Sequence, residues 1–184
     1  TRSPRSPTGG CWCVVDTTVT AASCGGYDGS NTFDTAVIYD PATDKWSQAA
    51  RMPEKRFVHS QSTLADGRVL VCGGHDNNNR LDTALIYDPA TDKWSPAANM
   101  PGKRVNHSQS TLADGRVLVC GGYDGSNTFD TAVIYDPATD KWSEAATMPR
   151  KRGYHSQSTL ADGRVLVCGG WWMRRQLLGH RPHL

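Results

Sequence analysis

The sequence predicts an all-β protein built as a β-propeller segment of about three four-stranded blades. Three observations support this: a fixed repeat, short apolar runs separated by turn residues, and no apolar run with the helical period of about 3.6 residues. The string GGYDGSNTFDTAVIYDPATDKWS at Gly25–Ser47 recurs unchanged at Gly121–Ser143, and a diverged copy occupies Gly73–Ser95. The copies begin at positions 25, 73 and 121, so the period is 48 residues. A period of this length is typical of a solenoid or a propeller.

One period contains four short runs that indicate strands. They are HSQSTL at 59–64, RVLVC at Arg68–Cys72, TALIY at Thr83–Tyr87 and KWSPAA at Lys93–Ala98. Asp66-Gly67 predicts a tight hairpin between the first two runs because glycine tolerates positive φ, and Pro89 predicts a turn between the last two. Four antiparallel strands per period describe a propeller blade. The small polar run suits the crowded innermost strand, and the two apolar runs suit middle strands that are covered on both faces.

Composition and charge narrow the classes of function. The formal net charge is +2 over 184 residues, which favours neither nucleic acid nor a membrane surface as a partner. No apolar run approaches the roughly 20 residues that a membrane-spanning helix needs. Cys24, Cys72, Cys120 and Cys168 recur with the repeat, so we expect buried, reduced thiols rather than disulfides. No cofactor is expected, since the sequence has no glycine-rich phosphate loop, zinc-protease motif or Gly-x-Ser-x-Gly.

The repeat resembles the kelch family. The family's marks are an Arg-x-x-His-Ser opening, a Gly-Gly pair after the second strand, then a Tyr, and a Trp on the last strand. Along the chain they are Gly25-Gly26, Tyr39 and Trp46; Arg56, His59, Gly73-Gly74, Tyr87 and Trp94; Arg104, His107, Gly121-Gly122, Tyr135 and Trp142; and Arg152 and His155. The resemblance covers about Cys24–Gly170, and it implies a propeller that often binds peptide segments, acidic ones included. We expect these marks to form the scaffold, with glycines allowing close approach and aromatic rings filling the space between sheets.

The two ends of the chain do not match the repeat. We therefore divide the chain into residues 1–23, the kelch array at 24–170, and residues 171–184. Read in a shifted frame, codons for Pro4–Thr18 can spell TLADGRVLVCGGHD, and codons for Leu178–His183 can spell LDTALI. We hypothesise that both ends are frame-shifted copies of the array. On this hypothesis Cys11, Cys13, Arg174, Arg175, His180 and His183 are not metal or nucleic-acid ligands.

The number of blades predicts self-association. In frame, the array holds the last two strands of one blade, two complete blades and the first two strands of another, which together make three blade equivalents. Closed propellers carry about 4–8 blades. We expect a homodimer of six blade equivalents, in which the incomplete blades pair across the two chains. The alternative is a fragment of a longer array that remains an open arc and has no function of its own.

The copies differ mainly in two segments that leave a blade on the same face. One is the connection between blades, which reads MPEKRFVHS, MPGKRVNHS or MPRKRGYHS, and the other is the loop after Gly-Gly, which reads YDGSNTFD or HDNNNRLD. Variation on one face with constant strands is typical of a binding scaffold, although neutral drift of exposed loops gives the same pattern. The candidate binding residues are Lys55, Arg56, Phe57, His75, Asn78, Lys103, Arg104, Asn106, Lys151, Arg152 and Tyr154.

A Lys-Arg pair recurs in every connection. A ring of guanidinium groups would suit carboxylates, which arginine engages with two hydrogen bonds. Alternatively, each arginine pairs with the nearby loop aspartate, Asp34, Asp82 or Asp130, and only the lysines remain available to a ligand.

These patterns favour a non-enzymatic scaffold that binds a protein or peptide. Near-identical blades cannot place one acid, one base and one ligand asymmetrically, so the repeat argues against catalysis. His59, His107 and His155 either ring the channel as metal ligands or are satisfied histidines of the inner strands. The alternative function is a carbohydrate-binding or carbohydrate-acting propeller module, because by resemblance the family includes galactose oxidase and sialic-acid mutarotases.

Overall fold

The computed structural model describes residues 21–171, and this part of the chain is all β. It contains thirteen strands in four antiparallel sheets and no helix. Accordingly, no helix in residues 21–171 is long and apolar enough to cross a membrane. The sheets follow one another along the chain in the manner of propeller blades, which confirms the predicted fold class.

The first sheet has three strands. They are β1 (Ala21–Cys24), β2 (Ala36–Asp40) and β3 (Lys45–Ala49), in the spatial order β1-β2-β3. The sequence predicts only the last two, because Ala21–Cys24 does not match the repeat. Backbone pairing nevertheless places Ala21 opposite Tyr39 and Cys24 opposite Ala36, since a strand needs backbone groups in register rather than a particular sequence. The strand begins three residues before the predicted start of the array.

The second and third sheets are complete four-stranded blades, as predicted. The second sheet consists of β4 (Ser60–Thr63), β5 (Val69–Cys72), β6 (Ala84–Asp88) and β7 (Lys93–Ala97). The third sheet consists of β8 (Ser108–Thr111), β9 (Val117–Cys120), β10 (Ala132–Asp136) and β11 (Lys141–Ala145). Gly67 closes the β4–β5 hairpin at φ +87°, which confirms the turn that Asp66-Gly67 predicts.

Among the described residues, the fourth sheet is a half-blade. It pairs β12 (Gly153–Thr159) with β13 (Val165–Trp171), and both strands are longer than their counterparts in the complete blades. Residues 1–20 and 172–184, where the frame-shift hypothesis applies, lie outside the described residues.

Apolar side chains fill the space between successive sheets. Leu70 and Cys72 of the second sheet are fully buried, and they belong to one core with Val117, Val119 and Tyr135 of the third. Because side chains alternate across a strand, each sheet sends one set of residues to the preceding blade and the other set to the following blade. The middle strands are therefore covered on both faces, as their continuous apolar runs predict.

Polar side chains join the inner strands of neighbouring blades. The Gln109 side chain accepts hydrogen bonds at Oε1 from Ser60 Oγ (2.8 Å) and Cys72 Sγ (2.8 Å). Its Nε2 donates to Ser62 Oγ (3.0 Å) and to the Leu70 carbonyl (3.0 Å). In the next blade Gln157 makes the equivalent three hydrogen bonds to Ser108, Ser110 and the Leu118 carbonyl. The small polar run is thus the innermost strand, and each glutamine ties its own blade to the blade before it.

The Gly-Gly pairs allow two chain segments to approach closely. The Gly74 N–H donates to the Arg104 carbonyl at 2.8 Å. A Cβ atom on Gly73 would lie 2.5 Å from the same carbonyl oxygen and 2.6 Å from Cε1 of His107, so no larger residue fits without movement. Gly73 also has φ +63°, a conformation that side chains with a Cβ atom disfavour.

The repeated tryptophans bridge blades at the outer edge. Trp94 Nε1 donates to the Ala50 carbonyl at 2.8 Å, and Trp142 Nε1 donates to the Ala98 carbonyl at 2.7 Å. Both rings are half-buried. Trp46, on the first sheet, is 56% exposed.

Replacing Gly73 with Ala should destabilise the protein more than replacing Gly67 with Ala. Both glycines have positive φ, so both variants carry strain of about 1–2 kcal/mol. Only Gly73 adds a clash with the Arg104 carbonyl, which should cost about 1–3 kcal/mol more, because no atom lies within 4 Å of a Cβ on Gly67. Urea unfolding of the two variants measures the difference. Equal losses would contradict the close approach of the backbones.

Candidate functional site

The two variable segments of each blade are hydrogen-bonded to each other. Phe57 and His75 exchange backbone hydrogen bonds of 3.0 and 2.9 Å, and Val105 and Tyr123 do the same. The connections at 52–59, 100–107 and 148–155 therefore lie beside the loops at 27–33, 75–81 and 123–129. We call this surface the connection face. The sequence places both variable segments on one face, and their contact puts the differences between copies in one region.

Equivalent residues of the three connections form a hydrogen-bonded arc. The Asn106 N–H donates to the Val58 carbonyl, and the Tyr154 N–H donates to the Asn106 carbonyl, each at 2.9 Å. All three residues have a left-handed backbone, with φ of 51°, 55° and 57°. This conformation is costly for valine and tyrosine, and it is retained where surrounding contacts impose it. The backbone of the arc is thus constant while its side chains are Val, Asn and Tyr.

Aromatic rings cover the connection face. Tyr27 stacks on Phe57 at 5.1 Å between ring centroids, and Phe57 contacts the His75 ring at 5.3 Å. At the other end of the arc, Tyr154 is 64% exposed and meets Trp171 edge-on at 6.5 Å. Tyr27 and Trp171 were not among the predicted site residues. Because both directly follow a Gly-Gly pair, as His75 does, alignment of the repeats could have identified them.

The loop after each Gly-Gly pair is held by its own aspartate. Asp76 accepts the backbone N–H groups of Asn78 (2.9 Å) and Asn79 (2.6 Å). These hydrogen bonds lower the pKa of Asp76, and Asp28 and Asp124 make the same contacts in their loops. Asn78 lies exposed at the tip of its loop. Arg80, from the same loop, reaches the next blade and lies 5.3 Å from the centroid of the Tyr123 ring.

The predicted ring of available arginines is wrong for Arg56 and Arg104, which are buried. Arg56 is 0% exposed and donates to the Gly73 carbonyl (3.0 Å) and to Glu54 (3.0 Å). Arg104 donates to the Gly121 carbonyl at 2.8 Å and to Thr131 Oγ1 at 2.9 Å. Burial lowers the pKa of both guanidinium groups, while Glu54 acts in the opposite direction on Arg56.

The predicted pairing of these arginines with loop aspartates is also wrong. Asp34 pairs with Arg51 at 2.8 Å instead. Arg152 is half-buried and donates to the Gly169 carbonyl at 3.1 Å. The arginines satisfy the carbonyl oxygens that the positive-φ glycines expose, which the repeat alone does not reveal. Sequence spacing does not show this contact, because each arginine reaches a glycine 17 residues further along the chain, after the second strand of its own blade.

The lysines of the connections differ from the arginines in their exposure to solvent. Lys55, Lys103 and Lys151 are exposed, and none forms an ion pair within residues 21–171. Each directly precedes one of the repeated arginines, so the three ammonium groups recur with the period of the blades.

Each buried cysteine contacts a histidine of the following blade. Cys72 Sγ lies 3.7 Å from His107 Nε2, and Cys24 Sγ lies 3.4 Å from His59 Nε2. Burial raises the pKa of the Cys72 thiol to about 12 and lowers the pKa of His107 to about 3. Both partners are therefore neutral, whereas a nucleophilic cysteine needs a thiolate. The pair has the residue types of a catalytic dyad but the electrostatics of a packed core.

The repeated histidines are only partly satisfied. The Nδ1 atoms of His59, His107 and His155 are buried without a hydrogen-bond partner in the described structure, although the first two use Nε2 on a cysteine. Residues 21–171 contain no group of three or more His, Cys, Asp or Glu side chains that could hold a metal ion.

Unfolding of the protein should take up protons at the buried histidines below pH 6.5. His107 stays neutral in the folded state down to about pH 3, while an unfolded histidine protonates near pH 6.5. Stability contributed by this residue is therefore complete at pH 7.5 and falls as the pH drops. From pH 7.5 to pH 5.5 the free energy of unfolding of the unaltered protein should fall by about 1.4 kcal/mol more than that of the His107→Gln variant.

Urea unfolding at both pH values measures this difference, with His75→Gln as the control. His75 is half-buried on the surface loop, and its pKa is lowered by burial and then by Arg80, so a smaller effect is expected. An identical pH dependence for the unaltered protein and His107→Gln would show that His107 titrates normally in the folded state.

Comparison with known proteins supports the same architecture. The family model described as the KLHDC2/KLHL20/DRC7 Kelch-repeats domain matches residues 21–178. No curated protein matches the chain. The matched segment begins at β1, covers all thirteen strands, and accounts for most of the 184 residues. The chain therefore belongs to the kelch-repeat family.

Proposed function

We propose that the chain is a non-enzymatic scaffold that binds an acidic peptide segment of a partner protein on the connection face. Kelch repeats are generally protein-interaction modules. The observation that supports this proposal best is the contact between the two variable segments, such as Phe57 with His75. Side chains differ between blades where the segments meet, while the strands beneath them remain nearly identical.

The chemistry of the connection face suits a peptide with carboxylates and apolar side chains. Lys55, Lys103 and Lys151 supply exposed ammonium groups at regular spacing. Tyr27, Phe57 and the other rings of this face supply amphipathic surface, which is common where proteins bind one another. Each exposed ion pair between a lysine and the peptide should contribute about 0.2–1 kcal/mol to the binding free energy.

Two features support a non-enzymatic role. The Cys–His pairs are buried and neutral, and the blades repeat the same groups instead of assembling different ones at one place. The competing carbohydrate function draws on the exposed rings of Tyr154 and Trp171, which could stack on a sugar. A peptide display library and a glycan array, each probed with the full chain, distinguish the two proposals. Selection of acidic peptides supports the scaffold, and binding to glycans alone overturns it.

We also propose that the chain forms a homodimer with six blade equivalents. In the part of the chain that the structure describes, the first sheet has three strands and the fourth has two, so each leaves strand edges and apolar side chains that another sheet could cover.

Removing the three connection lysines should weaken binding of a selected acidic peptide. The triple variant Lys55→Ala, Lys103→Ala and Lys151→Ala should raise the Kd about tenfold at low salt, because each lysine should contribute about 0.5 kcal/mol to the binding free energy. Salt screens these charges, so the Kd should rise less at high salt. The matched control replaces Lys45, Lys93 and Lys141, which repeat with the same period at the start of the last strand of each blade. Fluorescence anisotropy measures both variants over a range of salt concentrations.

Equal effects of the two triple variants, or an affinity that does not depend on salt, would contradict binding at the connection lysines. Arg56 and Arg104 are left unchanged because their burial makes any substitution a test of stability instead of binding.

A further inference from the structure

Within residues 21–171, the fourth sheet lacks the third and fourth strands of a complete blade. Within the described residues β13 pairs with β12 alone, whereas the equivalent β5 and β9 each have a third strand on the other edge. Leu166 on β13 is 52% exposed, although its equivalent Leu70 is 0% exposed. Cys168 is likewise exposed where Cys72 is buried. The edge and one face of β13 therefore present the groups that a third and a fourth strand cover elsewhere in the molecule.

The first sheet carries strands equivalent to the missing third and fourth ones, as the β2–β3 hairpin. In the complete blades the equivalent hairpin makes two hydrogen bonds to the preceding connection. In the complete blades the tryptophan of the fourth strand donates to the last alanine before the connection, as Trp94 does to Ala50. The turn aspartate of the same hairpin accepts the N–H of that alanine, as Asp92 Oδ1 does from Ala50 at 2.8 Å. Asp140 and Trp142 make the same two contacts with Ala98.

At the ends of the described structure, the groups that would make these two hydrogen bonds are present without each other. Ala146 is the equivalent of Ala50 and Ala98 in the third connection, and neither its N–H nor its carbonyl has a partner within residues 21–171. Trp46 and Asp44 are the equivalents of Trp94 and Asp92 on β3 and its turn. Trp46 is exposed. Within residues 21–171 the Asp44 side chain accepts a hydrogen bond only from the Tyr39 hydroxyl, at 2.7 Å. The donor and acceptor missing from one end of the array are thus present at the other end.

We propose that the β2–β3 hairpin of one copy adds to the free edge of β13 in a second copy and completes its fourth blade. The complete blades supply the register, since Val69, Leu70, Val71 and Cys72 lie opposite Tyr87, Ile86, Leu85 and Ala84. In the composite blade, Leu166 lies opposite Ile38 and Val167 lies opposite Val37 of the second copy. Trp46 then donates to Ala146, and Asp44 accepts its N–H. The partner is a second copy of this chain, identified by groups that the chain carries at both ends.

The hairpin must exchange β1 for β13. The strand β1 carries Ala-Ala-Ser-Cys, whereas β5, β9 and β13 all carry Val-Leu-Val-Cys at that place in the blade. In the complete blades the Val-Leu-Val residues of β5 and β9 pair with the third strand, and joining β13 to the hairpin would bury the same three branched side chains, so the exchange favours the composite blade. If both copies exchange, two complete blades from each and two composite blades form a closed ring of six with two-fold symmetry.

This inference depends on the proposed self-association and is independent of peptide binding. Sedimentation equilibrium of the full chain reports association, and a disulfide reports the register. Val37→Cys with Val167→Cys, in a Cys168→Ser background, should give a disulfide-linked dimer on a non-reducing gel. The matched control, Val37→Cys with Val165→Cys, shifts the pair by two residues and should cross-link at least about tenfold less.

A substitution on the hairpin gives a second measurement. Trp46→Ala should raise the dimer Kd at least about tenfold, whereas Gln48→Ala, at an exposed position of the same strand, should not. A monomer throughout would overturn both self-association and this interface. A dimer without the Val37–Val167 cross-link, and insensitive to Trp46, would overturn the interface alone. Larger species that carry the same cross-link would support strand addition and overturn closure at six blades.

Discussion

The structure depends on the carboxamide of one glutamine in each inner strand. Gln109 makes four hydrogen bonds to the preceding blade, to Ser60, Cys72, Ser62 and the Leu70 carbonyl. Leaving such buried partners unsatisfied costs about 1–3 kcal/mol each, so a blade cannot slide or tilt without losing several at once. In a repeat protein each unit contacts only its neighbours, and this contact therefore determines the spacing of the whole array. The apolar faces meet in register because the inner strands are already aligned.

The connection face follows from that spacing. Because equivalent connections lie a constant distance apart, Val58, Asn106 and Tyr154 can form a continuous backbone ladder. The ladder holds a left-handed conformation, which costs about 1–3 kcal/mol per residue when nothing supports it. Since the backbone contacts determine this conformation, the side chain at that position is free to differ from blade to blade. An array of nearly identical blades thereby presents a surface that is not uniform.

The apolar interface between successive blades also explains why the first and last sheets of the described array expose apolar side chains. Any interface between two blades joins two different surfaces, one with Leu70 and Cys72 and the other with Val117 and Tyr135. The array at residues 21–171 therefore carries complementary halves of this interface on its first and last sheets. Exposure of Leu166 and Trp46 is a direct consequence of this nearest-neighbour arrangement. Self-association by blade completion would reuse contacts that are already formed twice within the chain.

The sequence by itself determined the period, the four strands of each complete blade, the Gly67 hairpin and the location of the variable segments. These features are local. They depend on apolar runs, turn residues and the repeat, all of which can be seen along one stretch of the chain. The tertiary structure decided the roles of Arg56 and Arg104, the first strand at Ala21–Cys24, and the neutral state of Cys72 and His107. Each of these depends on atoms from a neighbouring strand or blade. A charged side chain is exposed or buried according to the strands and loops that pack around it, and spacing along the chain carries no measure of those distances.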